Sequence, residues 1–164
     1  MLLRKINVAM VAFCLACGTI TWAAETASQA DRAFVAKVSQ GGLYEVEAGK
    51  VAALRGAVPV VRNFGALESH DHEGVNSALK HIAGMTGVSI TPGLNAEFSQ
   101  RLAKLKAVPA AQFDSYYVND MKQIHNKDEG LFAQEAKEGS ASYQQFAQKT
   151  AVLVNAHLGW LNTL

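Results

Sequence analysis

TGVSITPG, residues 86 to 93, is the widest interruption in a sequence that reads as helix almost throughout beyond Glu25. Two glycines, a proline and β-branched residues cannot continue a helix, so a long amphipathic segment must stop near Met85. A shorter amphipathic segment follows from about Leu94 to Lys106, with Leu94, Phe98, Leu102 and Leu105 on one side. The connection between the long segments on either side is therefore about twenty residues and contains a short helix of its own. That length suits a crossover better than a tight turn.

Working outward, the three prolines punctuate the chain: Pro59, Pro92 and Pro109. Asp31 can cap a first helix that reaches roughly residue 55, with Gly41 and Gly42 expected to bend or interrupt it. Pro59 stands near the start of a second helix that ends near Met85. Pro109 opens a third long helix to about Lys137, and a fourth runs from about Ser140 to Leu161. The expected fold is all-α: a four-helix bundle with a long crossover carrying a short helix between the second and third long helices. An up-down-up-down bundle with a bulky loop is the alternative. Strand patterns are negligible.

With 164 residues the chain fits one domain. Fifteen basic residues against 14 acidic ones, scattered without a basic run, give no support to a nucleic-acid partner. At the N-terminus, Arg4 and Lys5 precede the apolar INVAMVAFCLACGTI, and small residues surround a cut after Ala23. This pattern predicts a signal peptide over residues 1–23, a single domain over 24–164 and a periplasmic address, with outer-membrane association as an extension of it. The apolar run is short for a membrane span. Cys14 and Cys17 both fall within it, so the mature chain lacks thiolate ligands and disulfides. Lipid attachment at Cys17 is the alternative.

Helical phase then sorts the polar residues. In ALESHDHEGV, residues 66–75, neighbours turn by about 100°, so His70 and His72 cannot face one ion. Val61, Phe64, Val75, Leu79 and Ile82 place Glu68 and Asp71 within the apolar stripe of the second helix and His72 at its edge. His70, His81 and Glu73 face water. In the first helix, Leu43, Val46, Val51 and Leu54 define a stripe with Glu47 near its middle, and Glu45 points away. The third long helix carries Asp128 inward and His125 at the margin. The fourth places His157 on its stripe. Depth agrees: at about 1.5 Å per residue, Glu47, His72, His125 and His157 fall ~16 to ~23 Å from one end of the bundle.

Such groups are costly to bury unless they pair with one another or with a cation. The expected site is a metal centre of Glu47, His72, His125 and His157, with Asp71, Asp128 and Glu68 as further ligands or as groups orienting them. Imidazole with carboxylate leaves iron, zinc, copper and manganese open. The competing readings are a dinuclear oxidoreductase and an interaction module whose buried polar layer only fixes packing. In that last case Glu47 pairs with Lys50, and Glu68 bonds His72 across one turn. A nucleophile elbow and a phosphate loop are both absent from the sequence. No enzymatic activity is assigned, and protein partners are not legible.

QGGLYEVEAGKVAA at 40–53, VRNFGALESHDH at 61–72, FDSYYVNDMKQIH at 113–125 and FAQKTAVLVNAHL at 146–158 form a set of blocks. Together they resemble the bacterial ferritin-like family of unknown function, exported proteins often labelled predicted outer-membrane proteins. The resemblance implies a ferritin-like four-helix fold. It also implies site positions at Glu47, Asp71, His72, His125 and His157. Ferritin-type di-iron centres use Glu-x-x-His on two helices, whereas Ser69, Lys122 and Val154 stand three residues before the histidines here. That departure favours ion binding over iron oxidation.

Overall fold

A computed structural model describes residues 25–164; the signal-peptide expectation, with Cys14, Cys17 and the cut after Ala23, lies outside those residues. Five helices make up the described chain: α1 (Gln29–Arg55), α2 (Pro59–Met85), α3 (Ala96–Ala107), α4 (Ala110–Glu138) and α5 (Ala141–Leu161). No strand occurs among the described residues, and none of their helices is long and apolar enough to cross a membrane.

Local chemistry explains most boundaries. Ser28 caps α1 in a reciprocal box with Asp31, which is therefore the third helical residue rather than the cap. Asp31 also accepts from the Ser140 backbone N–H and hydroxyl, so one buried carboxylate ties the start of α5 to the start of α1. Pro59 occupies the first turn of α2. At the other end of α2, Gly87 adopts a φ of 72° and the Val88 N–H reaches back to the Ala83 carbonyl at 2.8 Å. This is a Schellman ending that a residue with a Cβ would strain. Gly41 and Gly42 do not interrupt α1, which runs unbroken through both. Neither has a positive φ, and surrounding packing outweighs their weak helix propensity.

The long helices pack as two antiparallel hairpins, α1 with α2 and α4 with α5, joined by further α1–α4 and α2–α5 contacts. The connection with α3 climbs back along the bundle, so α4 starts at the end where α1 finishes. Three groups hold that climb in place. Gln40 bonds the Gly93 carbonyl and the Asn95 N–H. Arg101 pairs with Asp120 at 2.8 Å, and Asp120 accepts from the Tyr44 hydroxyl. Arg55 donates to the carbonyls of Leu105, Lys106 and Val108 while lying 4.5 Å over the Phe113 ring.

The α1–α2 seam is made of small residues. A Cβ on Gly49 would sit 2.6 Å from the Gly65 carbonyl oxygen and 2.8 Å from the Ser69 nitrogen; a Cβ on Gly65 would meet Ala52 and Ala53 at 2.7 Å. Only glycine allows the two backbones to come this close. The close approach rotates α1 so that Tyr44, Glu45, Ala48 and Ala52 face the interior, while Leu54 is 85 % exposed. The apolar core falls into two separate clusters. One lies around Phe64, Phe113, Tyr117 and Leu105, the other around Phe34, Leu79, Phe132 and Tyr143. A polar layer divides them.

Candidate metal centre

Glu68 is the centre of that layer. It is fully buried on α2, one turn before His72, whose Nε2 lies 3.1 Å from Glu68 Oε1. From α4, His125 brings Nε2 to 3.3 Å from the same oxygen; from α5, His157 brings Nδ1 to 2.9 Å from Oε2. His125 Nε2 and His157 Nδ1 are 3.2 Å apart. One donor atom from each of Glu68, His72, His125 and His157 lies within 4.8 Å of the other three. A tetrahedral ion with bonds of about 2.0–2.1 Å spaces its ligands by about 3.4 Å, close to these separations.

The outer ring nitrogens decide what the inner ones present. His125 Nδ1 lies 3.0 Å from the Met121 carbonyl oxygen, which can only accept, so Nδ1 carries the hydrogen and Nε2 of the neutral ring is a lone pair. His157 Nε2 is 3.0 Å from Asp71 Oδ2, which leaves Nδ1 as the inward lone pair. His72 Nδ1 is 3.1 Å from Glu45 Oε2 without a well-aligned hydrogen bond, so this contact does not set its tautomer, and Nε2 faces Glu68. His125 and His157 are thus braced from behind by an acceptor, as metal-bound histidines are, while His72 has the Glu45 carboxyl group close behind it. In front, lone pairs and a carboxylate converge. Both Glu68 oxygens and both His72 nitrogens lack a well-aligned hydrogen bond despite their short contacts. They are arranged around a shared point rather than along one another's bonds.

Without an ion, protons must relieve this crowding. Burial alone would lower the His72 pKa, but Glu45 and Glu68 outweigh it and hold the imidazolium up to about 9. Burial raises Glu68, yet close contact with His157 and His72 and the charge of His72 bring its carboxyl well below the usual range. Burial keeps His125 neutral, with its pKa pushed down to about 4. Glu45 is raised well above its ordinary value by burial, with Asp128 and Glu68 adding to the rise and His72 opposing it. Asp128, within hydrogen-bonding reach of Glu45, is itself raised to about 6 by burial.

Of the residues singled out in the sequence, His72, His125 and His157 are brought together. Glu68, assigned a lesser place, stands at the centre, and Asp71 braces His157. Asp128 stands at the margin beside Glu45 rather than among the converging atoms. Glu47 does not join them. Its side chain is 45 % exposed and bonds Lys50 at 3.3 Å, while Lys50 also reaches Glu73 at 3.1 Å. Glu45, read as pointing away, is the α1 carboxylate that reaches the layer. Two residues separate them, about 200° of helix. The stripe drawn through Leu43, Val46, Val51 and Leu54 followed the large apolar side chains, of which only Val46 is buried, whereas around Glu45 the face of α1 packed on α2 carries small ones. Gly41, Ala48, Gly49 and Ala52, spaced at helical intervals around Glu45, are the signal that marks the true face.

The chain belongs to the family described as domain of unknown function (DUF4142), which matches residues 19–164. In three dimensions it is similar to a solved structure, a DUF305 fragment from Deinococcus radiodurans. The TM-score is 0.72 with 14% sequence identity, over 85% of this chain and 99% of that one. At that identity the likeness concerns the fold alone. No curated protein matches the sequence.

Proposed function

We propose that this member of a family without an assigned activity is an exported, ferritin-like helical bundle that binds one transition-metal ion at Glu68, His72, His125 and His157. The observation that supports the reading is the tautomer pattern: acceptors behind His125 and His157 turn their inner nitrogens into lone pairs aimed, together with His72 Nε2, at a common point beside a carboxylate. Lone pairs facing each other at 3.2 Å repel unless a cation or a proton stands between them. Three imidazoles and one carboxylate suit zinc, copper(II) or iron(II) better than calcium or magnesium, which prefer oxygen. One convergence point and the missing Glu-x-x-His repeats favour a binding role over a dinuclear oxidase. Arg4, Lys5 and the apolar run after them support export to the periplasm.

Elemental analysis of protein purified from the periplasm, followed by dialysis against zinc and copper, tests the reading. About one ion per chain is expected, with loss of binding when His72, His125 and His157 are changed together to Ala. Substoichiometric metal that the triple change leaves unaltered would falsify the reading and favour a purely structural polar layer.

A further inference from the structure

We propose that a divalent cation reaches the buried centre through the cavity between α1, α3 and α4, passing from the Asp128 carboxylate to Glu45 and then to Glu68. The proposal rests on the metal-centre reading and adds the route of entry. The cavity, about 310 Å³, is lined by Gly41 of α1, Phe98 and Arg101 of α3, and Ile124 and Asp128 of α4. Asp128 lies within hydrogen-bonding reach of Glu45. Glu45 is 2 % exposed, and its Oε1 finds no hydrogen-bond donor. That oxygen lies 3.6 Å from His125 Nδ1, and the second oxygen contacts His72. Asp128 and Glu45 therefore lead from the cavity wall to the outer nitrogens of His72 and His125, the rings whose inner nitrogens meet Glu68.

The positive charges around the cavity do not close this line. Arg101 is already bound to Asp120, and Lys37 and Lys127 are exposed. Gly41 supplies the opening. An added Cβ there would meet nothing within 4 Å, although the residue is buried in the middle of a helix, whereas one on the adjacent Gly42 would strike Asn76. A glycine in a helix interior costs about 0.5–1 kcal/mol relative to Ala, and neither a turn nor a close backbone at Gly41 requires it. It leaves the cavity unfilled one helical turn before Glu45. A second cavity, of about 330 Å³ between α2 and α5 and bordered by Gly74, has no carboxylate in its wall.

Stopped-flow uptake of Co²⁺ by the metal-free chain, followed through the visible absorption of the bound ion, tests the route. Gly41→Leu fills the cavity without touching a ligand; uptake is expected to slow by roughly tenfold while the final Co²⁺ content stays that of the unaltered chain. Gly74→Leu adds the same bulk on the other side, where a Cβ also has open space, and should leave the rate unchanged. Asp128→Asn should slow uptake without filling the cavity, and it carries the test should Gly41→Leu fail to fold. Full loading at an unslowed rate in Asp128→Asn, or in a folded Gly41→Leu, overturns the route alone, as does slowing by Gly74→Leu. An unaltered chain that takes up no Co²⁺ overturns the metal-centre reading as well.

Discussion

The two apolar clusters and the polar layer between them hold the same four long helices together by opposite means. In the clusters, Phe34, Phe132 and Phe146 meet with ring centroids 5.4 to 6.2 Å apart, and every contact made on folding is favourable. In the layer, five ionisable side chains at most 2 % exposed are matched so that each ring has an acceptor behind it and competition in front. Desolvation consumes much of what such pairs gain, so the layer by itself adds little stability. The clusters make the fold; the layer gathers the groups that could hold an ion.

The sharpest way to break that contrast is Phe132→Ala. Removing a buried aromatic ring should cost about 4 kcal/mol, and denaturant unfolding should give the same loss with and without added zinc. A loss that depends on zinc would show the layer and the cluster to be one unit. Next comes the ion itself. Zinc at a hundredfold excess over its dissociation constant should stabilise the chain by about 2.7 kcal/mol, and thermal unfolding of the triple histidine variant should show none of this gain.

A smaller effect belongs to a polar group outside the layer. Glu135 is 5 % exposed beside Asp31, and burial followed by the Asp31 carboxylate raises its pKa from 4.5 to about 7. The folded chain therefore holds a proton that the unfolded chain releases, so stability is full below about pH 4.5 and declines as pH rises through 7. Glu135→Gln, neutral at all pH, should raise stability at pH 8 by about 1 kcal/mol and leave it nearly unchanged at pH 4. The smallest expected change is Gly41→Ala, a gain of about 0.5–1 kcal/mol from helix propensity, readable as a shift in denaturation midpoint. A loss there would mean that the space above Gly41 is not open.

Much of the helix order is legible in the chain because its breakers act locally. Pro59, Pro109 and the turn after Met85 end or begin helices through the geometry of one or two residues, and tertiary contacts have little to add. His72 and His157 are legible for a related reason. They sit among large apolar neighbours, so counting around the helix finds them. Gly41 and Gly42 are the counterexample on the fold side, since weak propensity predicts a break that the packed helix ignores. On the site side the counterexample is α1, where bulk misidentifies the buried face because the closest packing uses the smallest residues.

The sequence by itself determined an all-helical chain and the three histidines of a buried polar layer, since breakers and helical phase are properties of neighbouring residues. Only the tertiary structure decided which α1 carboxylate reaches that layer and which atoms of each histidine turn inward. The approach of α1 to α2 through Gly49 and Gly65 turns Glu45 in and Glu47 out. The Met121 carbonyl and Asp71 fix the His125 and His157 rings from behind, and Glu45 stands behind His72. Both depend on contacts between helices far apart in sequence, where a rotation of two residues exchanges the carboxyl group behind His72 for a solvated ion pair.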